Sequence, residues 1–173
     1  MEIRKATAAD LEAVAHLYDE VVDNQTRNIN YTNWEKGVYP ARPTAEKALE
    51  AGTLYVQTEN GQLVGSMILN HEQLPEYDRM NWRYPAQGEQ VLVIHTLCVS
   101  PTATGHGYAG AMVRFAEDLG RKLGCITLRL DTYEGNLPAR RLYTRLGYDL
   151  IGGTEFFFQG FIHEILVLFE KKL

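Results

Sequence analysis

A chain of 173 residues has the length of one domain, typically ~100 to 200 residues, and its 45% apolar, 23% charged and 10% aromatic content excludes disordered, collagen-like and mini-protein classes. Twenty-two acidic against seventeen basic residues give a formal net charge of -5, which excludes a general electrostatic attraction to nucleic acid or anionic lipid but leaves room for a local basic site. Cys98 and Cys125 lie in apolar runs rather than at metal-ligand or redox spacing, no signal-peptide core opens the chain, and no run reaches the ~18 apolar residues of a membrane helix, so a cytoplasmic protein without a metal site is expected.

Ile3 alternates with charged neighbours and predicts a short first strand. Thr7-Ala8-Ala9-Asp10 then supplies a cap and an acidic first turn for a helix that turns Leu11, Val14, Tyr18 and Val21 inward. Residues 23 to 43 lack periodicity and read as a long ordered loop, after which Thr44 caps a second helix ending near Gly52. Thr53 to Thr58 and Gln62 to Leu69 are strand-like runs around Glu59-Asn60-Gly61, a hairpin signal. The stretch from His71 to Gln90 is too long for a tight turn and reads as a functional flap or linker. Val91 to Val99 is nearly unbroken in apolar character, as in a central strand buried on both faces.

Beyond Ser100-Pro101, the residues Tyr108, Ala111, Met112, Phe115, Leu119 and Leu123 recur at helical spacing up to a terminal Gly124. Ile126, Leu128 and Leu130 alternate with Thr127 and Arg129 as a further strand. Asn136-Leu137-Pro138 opens a short helix with Ala139, Leu142, Tyr143 and Leu146 on one face, closed by Gly147. Two last strands are expected near Tyr148 to Gly152 and Ile162 to Lys171, with Gly153 to Gly160 between them. Residues 1–173 are read as a single domain.

Thr104-Gly105-His106-Gly107-Tyr108-Ala109-Gly110 sits between a buried strand and an amphipathic helix, where free backbone amides and the positive end of the helix dipole can hold a diphosphate. Two ligands fit that description. Gly105, Gly107 and Gly110 match the dinucleotide pattern G-x-G-x-x-G, with Asp131 near the separation of a ribose-binding acid, and taken alone this points to NAD. Too few strands follow for a doubly wound sheet, however, and the preceding hairpin is foreign to that fold.

The second ligand comes from a resemblance. The run from Leu97 to Ala109 resembles motif A of the GNAT superfamily of acyl-CoA N-acyltransferases, Q/R-x-x-G-x-G/A, with Thr104 in the Q/R position and Gly107 and Ala109 in the last two. Asn136-x-x-Ala139-x-x-Leu142-Tyr143-x-x-x-Gly147-Tyr148 resembles the second signature, N-x-x-A-x-x-L-Y-x-x-x-G-F/Y. The resemblance implies a mixed α/β fold: a mostly antiparallel sheet with a splayed parallel pair of central strands and flanking helices. It implies acetyl-CoA as cofactor and direct attack of an amine on the thioester, with no covalent acyl-enzyme. The departure at Thr104 removes a long side chain from the phosphate loop but leaves the backbone cradle.

Carried over residue by residue, the resemblance assigns Tyr143 as the acid that protonates the leaving sulfur. It places His95, two residues before Leu97, where some members carry the base that takes the amine's proton. Leu97, Cys98 and Val99 match the strand edge that pairs with pantetheine, and Thr104, Gly105, His106, Gly107, Tyr108 and Ala109 the phosphate loop. Asn136 and Ala139 complete the cofactor contacts. Glu155 and His163 are alternative bases, Arg114, Arg140, Arg141 and Arg145 are candidates for the CoA phosphates, and Cys98 itself is read as packing. Trp34, Tyr39, Trp82 and Tyr84 are candidates to wall an acceptor pocket, and Glu72, Asp131, Glu134 or Glu155 to attract an ammonium group. A small-molecule or peptide amine is the expected partner, with no nucleic acid and no membrane; a homodimer and a noncatalytic acyl-CoA sensor stay open.

Overall fold

The computed structural model describes residues 1–158 and 162–173. The chain runs β1 (Glu2–Lys5), α1 (Leu11–Arg27), α2 (Arg42–Glu50), β2 (Leu54–Glu59), β3 (Gln62–Asn70), β4 (Val91–Val99), α3 (Tyr108–Leu123), β5 (Thr127–Tyr133), α4 (Leu137–Arg145), β6 (Asp149–Phe158) and β7 (Ile162–Lys172). The strands form a mixed sheet in the order β1-β2-β3-β4-β5-β7-β6. β4 and β5 are parallel, while β1–β2, β2–β3, β5–β7 and β6–β7 are antiparallel. Two compact units make up the chain. The first comprises Met1–Asn30, Trp34–Leu69 and His95–Phe115; the second comprises Tyr31–Asn33, Asn70–Ile94 and Ala116–Leu173.

In the first unit, Val14, Leu17, Tyr18 and Val21 of α1 and Ala45 and Ala48 of α2 pack on Leu54, Val56, Ile68 and Cys98. Each large apolar side chain buried there contributes about 1.5 to 3 kcal/mol. Asn60 and Gly61 have φ of 52° and 78°, the left-handed pair that a two-residue hairpin turn requires, so the expected β2–β3 hairpin is present. At the entry to α1, Asp10 accepts the Thr7 amide at 2.7 Å and the Arg4 fork at 2.8 and 2.9 Å. α1 runs to Arg27, four residues past the expected start of the loop, because that polar segment contains no breaker and the Thr26 hydroxyl bonds back to the Val22 carbonyl at 3.0 Å. Thr44 lies inside α2, which Pro43 opens, and its hydroxyl accepts the Ala41 amide at 3.2 Å.

In the second unit, Tyr77, Ala86, Val91, Val93, Leu166 and Leu168 form one buried cluster. Thr127 and Arg129, expected to alternate outward on β5, are both buried. Arg129 is 3% exposed, pairs with the fully buried Glu170 at 3.0 Å and lies 4.0 Å above the Trp82 ring. Glu170 also accepts the Arg83 amide at 2.8 Å, and Arg129 donates to Gln73 at 2.7 Å and the Tyr84 carbonyl at 3.1 Å. These bonds fasten the 71–90 segment, which carries 3₁₀ turns at Pro75–Arg79 and Gly88–Gln90, onto β5 and β7. β6 continues past Gly152 to Phe158, six residues beyond its expected end, because each of those residues pairs with β7; a register shift between Leu150 and Gly152 leaves Ile151 as the extra residue. Of the expected Gly153-to-Gly160 connection, Gln159 and Gly160 lie outside the described residues.

Candidate active site

The first unit carries the glycine loop and the end of β4, from His95, that leads into it. The parallel ladder of β4 with β5 runs from Val91–Thr127 to Ile94–Leu130. Two residues later Thr96 has φ 49°, a left-handed conformation that a β-branched residue adopts only under local constraint. Its side chain is buried and its hydroxyl is hydrogen-bonded to that of Tyr39, against which Trp34 packs edge-on at 5.9 Å. Of the expected acceptor-pocket aromatics, this pair is therefore braced against β4. His95, Leu97 and Val99 are half-buried, whereas Cys98 is buried and its thiol pushed well above the ordinary range by that burial.

After Val99 the chain makes a 3₁₀ turn, Pro101–Ala103, then turns through Gly105 at φ 84° and Gly107 at φ 80° into α3. A Cβ at either glycine would meet nothing within 4 Å, so backbone handedness, not packing, demands glycine there. The Gly107 carbonyl accepts the Ala111 amide at 3.0 Å, while the amides that open the helix have no carbonyl one turn back. The Thr104 hydroxyl donates to the Pro101 carbonyl at 3.1 Å, so the side chain in the Q/R position is tied into its own loop. His106 behaves similarly: its Nδ1 bonds the Ala103 and Thr104 carbonyls at 3.3 and 3.1 Å and its ring stacks on Tyr108 at 5.7 Å. Thr104, Gly105, His106, Gly107, Tyr108 and Ala109 thus form one exposed to half-buried loop edge with a positive helix end behind it.

The second unit carries the Asn136–Tyr143 signature. Asn136 caps α4, accepting the Ala139 amide at 3.2 Å, and its Nδ2 donates to Thr132 at 2.9 Å, which ties the helix to β5. Tyr143 is 5% exposed, with its ring 5.5 Å from Phe169 and 6.0 Å from Tyr148. Burial, and then the charge of Asp131, hold its hydroxyl well above the ordinary phenol range, so it keeps its proton at every working pH. Asp131 accepts the Tyr77 hydroxyl at 2.7 Å. Arg140 donates to the Glu134 carbonyl at 2.8 Å. Trp82 and Tyr84 help to line a cavity of about 650 Å³ with Tyr77, Gln73 and Arg129, although the Trp82 indole already donates to the Tyr77 carbonyl.

Glu164 was not anticipated. It is half-buried on β7, and its Oε2 accepts the Asn33 amide group at 3.3 Å. Burial, then the charge of Asp131, raise its carboxyl to about 7, with Asn33 acting in the opposite direction. The signal available in the sequence was the period of two in His163-Glu164-Ile165-Leu166-Val167-Leu168, which groups Glu164 with the buried Leu166 and Leu168. Glu155 and His163, the alternative bases, pair with Ile165 and Phe157 in the register and so take the other face of the β6–β7 hairpin.

Among the described residues the sheet is not doubly wound: β1, β2 and β3 are a meander and β5 is antiparallel to β7, so the dinucleotide reading lacks its frame. Among the described residues, no helix is long and apolar enough to cross a membrane. Similarity to known proteins points the same way as the loop and the signature. Streptothricin acetyltransferase of Escherichia coli is 26% identical over 159 residues, covering 90% of this chain and 82% of its own. A GNAT family acetyltransferase from Streptococcus agalactiae shares the fold with a TM-score of 0.78 at 19% identity, over 99% of this chain and 95% of that one. The yncA protein of Salmonella typhimurium, solved with its cofactor acetyl-CoA, has a TM-score of 0.70 at 18% identity, over 100% of this chain and 94% of its own. The sequence model of the acetyltransferase (GNAT) family matches residues 15–148, well over half of the sequence, and the chain belongs to that family.

Proposed function

We propose that the protein is an acetyl-CoA-dependent N-acetyltransferase that passes the acetyl group directly to a primary amine, without a covalent acyl-enzyme. The observation that carries this reading is the left-handed turn at Gly105 and Gly107 opening α3 within the family match. It suits a diphosphate because amides and helix dipole converge there. The backbone from Gly105 to Ala109 would hold the diphosphate, the edge of β4 at Leu97 to Val99 the pantetheine arm, and Asn136 and Ala139 the α4 side. When bound, acetyl-CoA supplies an activated acetyl thioester.

The chain's own residues then have three tasks: to orient the reactants, to meet the negative charge that develops at oxygen and sulfur, and to move protons. Tyr143, protonated throughout, is an O–H donor for the departing sulfur. Cys98 is buried and held neutral, which disfavours an acyl-cysteine route and supports direct attack. His95 is the candidate base on β4. The acceptor is a primary amine, and the 26% identity to streptothricin acetyltransferase puts streptothricin first on a panel of small-molecule and peptide amines.

The test is a thermal-shift comparison with acetyl-CoA, CoA and NADH, followed by thiol release across the amine panel. Ligand at a hundred times Kd stabilises by about 2.7 kcal/mol, a shift of several degrees for a domain of this size. A shift with acetyl-CoA and not NADH, with CoA released for at least one amine, is the expected result. Binding without release for any amine would mean a sensor, and a shift with NADH alone would overturn the cofactor assignment.

A further inference from the structure

We infer that Lys171, held by Glu117, is a positioning residue that fixes the C-terminal end of α4 and through it the place of the Tyr143 hydroxyl. The inference rests on the reading of Tyr143 as the proton donor and deepens it, since neither sequence signature includes Lys171 or Glu117. The Lys171 ammonium donates to the Leu146 carbonyl at 2.8 Å and to Glu117 Oε1 at 2.9 Å, and lies 5.3 Å from the centre of the Tyr148 ring. Glu117 belongs to α3, Leu146 caps the C-terminal end of α4 and Lys171 lies on β7, so one side chain pins three elements at a point. The carbonyl it meets is one that a helix leaves unpaired at its end, where a cation also suits the negative pole of the dipole. Glu117 is 5% exposed, so the pair sits at the edge of the core rather than in solvent.

Tyr143 lies one helical turn before Leu146, and three contacts carry the anchorage to it. The Leu146 and Tyr148 amides donate to the Tyr143 carbonyl at 3.1 and 3.0 Å, and the Tyr148 ring that Lys171 faces is 6.0 Å from the Tyr143 ring. Phe169, on which Tyr143 packs at 5.5 Å, and Lys171 are two residues apart on β7 and share a face of it. β7 therefore offers α4 an apolar seat under Tyr143 and a polar tie at Leu146, while the opposite end of the helix is tied to β5 by the Asn136–Thr132 bond at 2.9 Å. A nine-residue helix is a rod of about 13 Å. Fastened at both ends it has one orientation; fastened at Asn136 alone it turns on the Phe169 ring and carries the hydroxyl with it. A displacement of ~1 Å at a reacting group costs as much as ~10²-fold in rate.

The experiment is a double-mutant cycle of wild type, Lys171→Met, Tyr143→Phe and the double variant, read in the single-turnover rate of CoA release with the amine found in the panel, together with hydrogen exchange of the α4 amides by NMR. Lys171→Met keeps the apolar stem and leaves Glu117 beside Arg121 at 3.7 Å, so no carboxylate is stranded. It is expected to slow the reaction by ~10 to 10²-fold, with acetyl-CoA affinity within about twofold because the Asn136 end stays tied, and to add nothing in the Tyr143→Phe background. Lys171→Arg, which also donates, is expected to recover most of the rate, and Glu117→Gln to lose rate in the same direction as Lys171→Met. The Gly147 and Tyr148 amides are expected to lose protection in Lys171→Met while the Arg140 amide keeps its own, a reading that needs no acceptor. An equal loss of rate in both backgrounds would mean support of the fold alone and overturns the inference, as does unaltered protection at Gly147 and Tyr148. A Tyr143→Phe variant as fast as wild type overturns the donor assignment and the inference with it. A wild type that binds no acetyl-CoA and releases no CoA overturns the acetyltransferase reading instead, while the exchange result still decides whether Lys171 anchors α4.

Discussion

Tyr143 and Glu164 reached notice by opposite routes. Tyr143 stands in a local pattern that can be matched without knowing what surrounds it, and its buried ring between Phe169 and Tyr148 then accounts for a hydroxyl that stays protonated. Tyr143→Phe keeps the ring and removes the donor, so kcat is expected to fall ~10² to 10⁴-fold with acetyl-CoA affinity unchanged, checked by steady-state kinetics beside a binding titration. Glu164 belongs to no pattern; its hydrogen-bond partner Asn33 is remote in sequence, and only the fold brings the two together. Another residue shows the same dependence on context. A methyl group on Gly65 would lie 3.0 Å from the Cys98 carbonyl and 2.9 Å from Met112 Sδ. The sulfur can swing away but the carbonyl is held in the sheet, so Gly65→Ala should lose about 1 to 3 kcal/mol in urea unfolding.

Elements were legible where a local signal decides the backbone. Asn60-Gly61 names its hairpin, the apolar run Val91–Val99 its buried strand, and the helical spacing from Tyr108 to Leu123 its helix. Elements were misjudged where pairing or packing overrules propensity. β6 runs through Gly152 and Gly153 because β7 pairs with it, and the polar end of α1 continues because no residue there forbids it. The loop before α3 combines both kinds: its glycines are visible in sequence, while their positive φ and the empty space beside them are structural facts. Gly107→Ala puts a side chain into that conformation at about 1 to 2 kcal/mol. It should lower the melting temperature modestly and weaken acetyl-CoA binding well beyond what that destabilisation explains, as isothermal titration of the folded variant would show.

At the scale of the whole molecule, the buried Arg129–Glu170 pair is a point of vulnerability, since it holds the 71–90 segment on β5 and β7. Removing one partner strands the other charge in the core. Glu170→Ala is expected to destabilise by about 3 to 5 kcal/mol in chemical denaturation. Two carboxyls give the stability a pH dependence of opposite signs. Hydrogen bonding to Arg4 holds Asp10 well below its ordinary 3.8, so its contribution is full above that pH and disappears on acidification as the pH falls through the folded value. Burial raises Glu164 from 4.5 to about 7, so the fold favours its protonated form. The contribution of Glu164 is full below 4.5 and is lost as the pH rises through about 7. Thermal melts across that window should show the decline in wild type and its absence in Glu164→Gln.

From the sequence alone followed the order of strands and helices, the glycine loop, the Asn136–Tyr143 signature and, through them, the family. Each of these is encoded within a few consecutive residues by period, turn chemistry or motif, and each survives without knowledge of neighbours. The tertiary structure alone decided that Thr127 and Arg129 face inward, that Thr104 and His106 brace their own loop, that β6 extends to Phe158, and that Glu164 meets Asn33. Burial, strand register and the field of a distant carboxylate arise between residues far apart in the chain, so no local pattern records them.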